Sequence, residues 1–222
     1  MQPELIIFDC DGVLIDSELL SNQTEIEVFA EFGVHYELHA YMARFVGKSS
    51  KDATLEWERD FGGPLPASFR PRLDECLATA FERELRAMPG IHELLAGLET
   101  RVCVASSSSP ARLDLTLGIV GLKEYFGENI FSATMVARGK PEPDLFIYAA
   151  GQMGVDPAAC IVIEDSALGA TGAVAAGMRT IGFVGGGHCT AKTREELLKA
   201  GVEQVVADHL ECANLIRALQ HF

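Results

Sequence analysis

Positive charge is scarce in this sequence: 18 Lys+Arg stand against 32 Asp+Glu in 222 residues, a formal net charge of -14. Such a chain presents a repulsive field to a phosphate backbone, which excludes nucleic acid as the expected partner. A small anionic substrate stays open wherever a metal or a few cations concentrate positive charge. No apolar run approaches the ~20 residues that cross a bilayer, so no helical membrane span is expected. The opening MQPELIIFDC lacks both the basic flank and the apolar core of a secretory signal. The six cysteines (Cys10, Cys76, Cys103, Cys160, Cys189 and Cys212) contain no CxxC pair. Neither a disulfide framework nor a zinc site is expected, and a reduced, cytoplasmic protein follows. Internal repeats are missing, as is low complexity beyond Ser106–Ser109. With no interface signature in the pattern, a monomer is expected.

What remains is an ordinary globular composition, 48% hydrophobic and 23% charged. The length suits one large domain or one domain carrying an insert. Short, unbroken apolar runs recur at Leu5–Phe8, Val102–Ala105, Cys160–Ile163, Thr180–Val184 and Gln204–Ala207. Runs without in/out alternation suit strands covered on both faces, as in a parallel sheet. Helix signals lie between the later runs. Ser109-Pro110 gives a cap and a first-turn proline ahead of Leu113 and Leu117. Pro141 opens a segment with Leu145 and Ala149 in register, and Thr193-x-x-Glu196 reads as a capping box. The alternation predicts an open α/β fold with a mostly parallel sheet.

The stretch from Ser17 to Ala87 breaks that rhythm. Leu19, Ile26, Phe29 and Ala30 have helical spacing stopped by Gly33, and further helices are expected around Ala53–Phe61 and Leu73–Leu85. The expected organisation is a sheet domain of residues 1–16 and 88–222, with a helical insert of residues 17–87. Met88-Pro89-Gly90 marks the return to the sheet domain. His35 and His39 stand four apart in this insert, but a solvated helix start explains them better than a metal site. Phe45 is expected to pack within the insert.

In open α/β sheets, ligands bind beyond the carboxyl ends of the strands. The first strand runs into Asp9-Cys10-Asp11-Gly12, another ends at Ser106, and a third runs into Glu164-Asp165-Ser166. Up to four carboxylates and a hydroxyl are thereby aimed at one crevice. Carboxylates gathered without a counter-charge raise one another's pKa. A hard divalent cation resolves this, and Mg2+ takes one or two carboxylates plus water and phosphate oxygens. Lys140, before Pro141, is the candidate cation for a phosphoryl ligand. An aspartate beside a metal and a lysine suits phosphoryl transfer through an aspartyl-phosphate.

FDCDGVLIDSE (Phe8–Glu18), the run ending in Ser106, RGKPEPDLF around Lys140 and IEDSALG (Ile163–Gly169) resemble, in order, the four motifs of the haloacid dehalogenase superfamily. The resemblance covers nearly the whole chain and implies a Rossmann-like core with the helical type-1 cap of the β-phosphoglucomutase-like branch. It implies that Asp9 attacks the substrate phosphorus. Asp11 would protonate the leaving alcohol and then deprotonate the hydrolytic water. Ser106 and Lys140 would bind the phosphoryl oxygens. Asp9, the backbone carbonyl of Asp11, and Asp165 would hold Mg2+, with Glu164 as a direct ligand or one step removed.

Displacing a halide needs no second aspartate, so Asp11 argues for phosphate chemistry. A Schiff-base lysine is not matched securely by Lys48 or Lys51. Mutases of this branch carry a histidine shortly after the first motif, where Ser21 stands here. The expected activity is a phosphatase of a small phosphorylated metabolite, either a sugar phosphate or a phosphorylated sugar acid. A sugar phosphomutase and a catalytically silent phosphometabolite-binding protein are the alternatives. Arg44, Lys48 and Ser49, around Gly47, lie in the segment resembling the family's specificity loop. Gly185–Gly187 lacks the order of a phosphate-cradling loop and reads as a flexible connection.

Overall fold

The computed structural model describes residues 2–45 and 50–220. Six strands form one sheet: β1 (Leu5–Phe8), β2 (Arg101–Ser106), β3 (Ile130–Ser132), β4 (Cys160–Glu164), β5 (Arg179–Phe183) and β6 (Gln204–Val206). They lie in the order β3-β2-β1-β4-β5-β6, and every pairing is parallel. All four residues of β1 are fully buried between β2 and β4. Leu5 and Ile7 join Cys103, Leu145, Phe146 and Val162 on one face, which explains an apolar run without alternation. Each such side chain contributes about 1.5–3 kcal/mol by burial. The strand order reverses between β1 and β4, and that reversal is where an open sheet leaves a crevice.

The chain divides into two compact units. Ser17–Leu85 is one, built from α1 (Glu18–Glu31), α2 (Leu38–Phe45), α3 (Ser50–Phe61) and α4 (Phe69–Glu84). Met1–Asp16 with Arg86–Phe222 is the other, and it carries the sheet. Its helices are α5 (Ile91–Ala96), α6 (Pro110–Ile119), α7 (Lys123–Phe126), α8 (Asp144–Met153), α9 (Ala167–Ala175), α10 (Ala191–Ala200) and α11 (His209–Gln220). The return to the sheet unit falls at Arg86, two residues before the expected Met88. Arg86 O accepts a hydrogen bond from Asp16 N, and Ala87 bridges Ile15.

Several local signals act as the sequence suggests. Ser109 Oγ accepts from Arg112 N, Pro110 opens α6, and Leu113 and Leu117 are buried on its inner face. Other signals are shifted. The box expected at Thr193-x-x-Glu196 sits one turn earlier: Thr190 caps α10 in extended conformation, while Thr193 already lies inside the helix and accepts from Thr190 N. The helix expected from Pro141 begins at Asp144, after a second proline at 143. Strand β3 was not among the apolar runs, because three residues at the sheet edge leave almost no pattern.

In the helical unit, α1 buries Ser21, Asn22, Thr24, Val28 and Phe29, whereas Leu19 and Ala30 are exposed. Polar residues can line that face because Asn22 Nδ2 and Thr24 Oγ1 donate to Glu18 O and Leu20 O one turn back. Phe29 is the centre of an aromatic cluster with Tyr36, Tyr41, Trp57, Phe61 and Phe69. Phe45 packs on Tyr41, with ring centroids 4.5 Å apart. His35 and His39 are exposed.

Candidate active site at the strand ends

The loop after β1 turns sharply. Gly12 adopts φ +79°, and Val13, Leu14 and Ile15 all direct their N–H groups at Cys10 O. Asp9 is held at the sheet by its own N–H, which donates to Ile163 O at 3.0 Å. Register aligns Phe8 with Val104 on one side and Ile163 on the other, so Asp9, Ser106 and Glu164 all emerge at the carboxyl edge.

Lys140 joins two of these ends. Its Nζ donates to Asp9 Oδ1 at 2.7 Å and to Glu164 Oε2 at 2.6 Å. Only 5% of its side chain is exposed, and Glu164 is fully buried. Burial, with the charge of Glu164 adding to it, pushes Asp9 up to about 7 against the pull of Lys140. Burial also holds Glu164 above the usual carboxylate range. It does the same to Asp165, against the hydrogen bond from His188. Burial would lower the Lys140 ammonium, but the charges of Asp9 and Glu164 outweigh it and hold the pKa above its ordinary value.

Asp9, Glu164 and Asp165 each offer a carboxylate oxygen within 4.8 Å of the others. Hard, anionic, buried oxygens are the donor set of Mg2+, so the residues present fit such an ion. Glu164 has other commitments: Oε2 accepts from Lys140, and Oε1 accepts from Ser166 Oγ and N. The carboxylate of Asp11 is not in this group of three. It is held by Ser108 Oγ at 2.7 Å and by Arg112 at 3.0 Å. Ser106 is buried, and its Oγ accepts from Ser108 N at 3.1 Å.

Of three further participants, Arg112 and His188 had no signal in the spacing, whereas Ser108 stands in the serine run Ser106–Ser109. Arg112 and Ser108 reach Asp11 from the start of α6 and the loop before it. His188, in the loop after β5, places Nε2 at 3.1 Å from Asp165 Oδ2. Burial would lower this imidazole, but the hydrogen bond to Asp165 leads the opposing effects and it is pushed up to about 11. Of the three expected specificity residues, Lys48 and Ser49 lie outside the described residues. Arg44 is committed within its own unit, to Glu56 at 2.7 Å and to both oxygens of Asp60.

The glycines of α9 also have a specific use. A Cβ on Gly169 would stand 2.1–2.4 Å from the carboxyl atoms of Glu164, which Lys140 and Ser166 pin in place. A helical Gly→Ala change in open space gains about 1 kcal/mol. Here Gly169→Ala is expected to cost about 1–3 kcal/mol instead, lowering the melting temperature by roughly 2–12 °C. An unchanged or raised melting temperature would show that Glu164 relocates freely.

A family profile for haloacid dehalogenase-like hydrolases matches residues 3–177. The 6-phosphogluconate phosphatase of Escherichia coli K12 is 30% identical over 186 residues, covering 83% of this chain and 84% of that protein. Among solved structures, a haloacid dehalogenase-like protein of unknown function from Agrobacterium tumefaciens superposes with a TM-score of 0.85 at 39% identity, covering 98% of this chain and 99% of that one. A HAD family hydrolase from Deinococcus radiodurans, with bound phosphate and sodium, gives 0.79 at 33% identity, covering 97% and 96%.

Proposed function

This chain belongs to the haloacid dehalogenase-like hydrolases and is a phosphoric monoester hydrolase, and on that premise we propose that it is a Mg2+-dependent phosphatase of small phosphorylated sugars or sugar acids. The observation that carries this reading is Lys140 bridging Asp9 and Glu164, beside Asp165, where the strand order reverses. The similar 6-phosphogluconate phosphatase, named for a phosphorylated sugar acid, supports the substrate class.

Asp9 attacks the phosphorus, forming an Oδ–P bond as the ester P–O bond breaks, and Asp11 gives its proton to the departing alkoxide. Water then attacks the aspartyl-phosphate, losing its proton to Asp11, and phosphate leaves. Lys140 orients Asp9 and, with Ser106, offsets charge on the phosphoryl oxygens. Bound by Asp9, Asp165 and the Asp11 carbonyl, Mg2+ would supply further charge neutralisation. Arg112 and Ser108 hold the Asp11 carboxyl in place.

The helical unit, residues 17–85, is the proposed cap that selects the leaving group, with Lys48 and Ser49 as its candidate contacts. Arg44 is already engaged by two carboxylates of its own unit. Six free thiols suit the cytoplasm.

The test is phosphate release from phosphorylated sugars, sugar acids and a chromogenic phosphoester. Release in Mg2+, its loss in EDTA and its return on adding back Mg2+ are the expected results. Isomerised phosphosugar without free phosphate would establish a mutase instead. Ligand binding without any product would leave a silent binding protein.

A further inference from the structure

The run Gly185-Gly186-Gly187-His188 has no part in the mechanism above, yet it delivers an imidazole to Asp165. The two side chains are only 5% and 6% exposed, and Nε2 lies 3.1 Å from Oδ2. Two glycines from different strand ends make room for the pair. A Cβ on Gly12 would stand 1.8 Å from Asp165 Oδ2 and 2.9 Å from His188 Cε1. A Cβ on Gly186 would stand 2.7 Å from both Cε1 and Nδ1 of the ring. The loops after β1 and β5 thus give up side-chain volume around one histidine.

That histidine is otherwise poorly provided for. Its Nε2 has one further contact, with Cys189 Sγ at 3.4 Å. Its Nδ1 is buried and, among the described residues, has no hydrogen-bond partner. An unsatisfied buried nitrogen costs stability, so packing alone is a poor reason to place a histidine here. The bond to Asp165 is its main polar commitment.

We propose that His188 is a positioning residue for the cation site: its hydrogen bond occupies Oδ2 of Asp165 and fixes the rotation of that carboxylate, leaving the other oxygen to the ion. This rests on the reading of Asp9 and Asp165 as ligands of Mg2+. Groups that orient a ligand from behind change metal affinity by about 10–100-fold when removed.

The test compares the intact protein with His188→Leu and His188→Gln, measuring Mg2+ binding by calorimetry and Mn2+ binding by electron paramagnetic resonance. Leucine is expected to weaken binding about 10–100-fold. Glutamine, which keeps an N–H at similar reach, is expected to recover most of the affinity even where leucine disturbs folding. In turnover, KM for Mg2+ is expected to rise by a larger factor than kcat falls. Leucine binding as tightly as the intact protein would overturn the proposal. Glutamine as weak as leucine would overturn it too, because the donor would then be irrelevant. An intact protein that binds neither ion would instead remove the cation site, and the positioning role with it.

Discussion

Replacing Asp9 by asparagine is expected to reduce phosphate release at least about 10^4-fold, since it removes the nucleophile from the reaction. The same change is expected to leave the metal-free protein as stable as before, or more so. Asp9 is buried beside Glu164 and Asp165, and its pKa of about 7 records how poorly that site tolerates another negative charge. An amide of the same shape relieves the repulsion and still accepts from Lys140. Activity assays alongside thermal unfolding in EDTA check both halves. Retained turnover would eliminate the aspartyl-phosphate route. Lost turnover with a collapsed melting temperature would show a structural rather than chemical role.

Lys140→Met is expected to damage stability and activity together. The methionine fills similar volume but leaves two buried carboxylates without the ammonium that sits 2.7 Å and 2.6 Å from them. Breaking a buried pair by removing one partner costs about 3–5 kcal/mol, or roughly 6–20 °C in melting temperature for a chain of this size. Phosphate release is expected to fall about 10^2–10^3-fold or more as phosphoryl charge loses its donor. Adding Glu164→Gln to Lys140→Met removes one stranded charge and is expected to restore part of the stability without restoring turnover. If the single variant melts with the intact protein, the carboxylates find another counter-charge and Lys140 is dispensable to the fold.

These contrasting outcomes follow from one arrangement, and its parts were unequally legible in the chain. Asp9, Glu164 and Asp165 directly follow or end apolar strands, so position relative to a strand end exposes them. Lys140 has no such marker and is 131 residues from Asp9; the charge it must offset and the resemblance of its segment identify it. Helix starts were legible where a cap acts alone, as at Ser109, and misplaced where two threonines compete, as at Thr190 and Thr193. Strand β3 leaves no signal because three residues are too few for a period to emerge. The buried face of α1 is not legible from its apolar residues alone, because polar side chains that bond to their own helix backbone can be buried.

By itself, the sequence determined the α/β class, the helical insert and the acidic strand ends. All of these are written in local periodicity or in residues adjacent to it. Only the tertiary structure decided which partner each acidic group has. Arg112 meets Asp11 across 101 residues, and His188 meets Asp165 from a different strand end. Intervening helices and loops set those separations without constraining the contact, so no spacing records it. The strand order brings these groups to one edge, and the room left by glycines 12 and 186 admits His188 beside Asp165; both exist only once the sheet has formed.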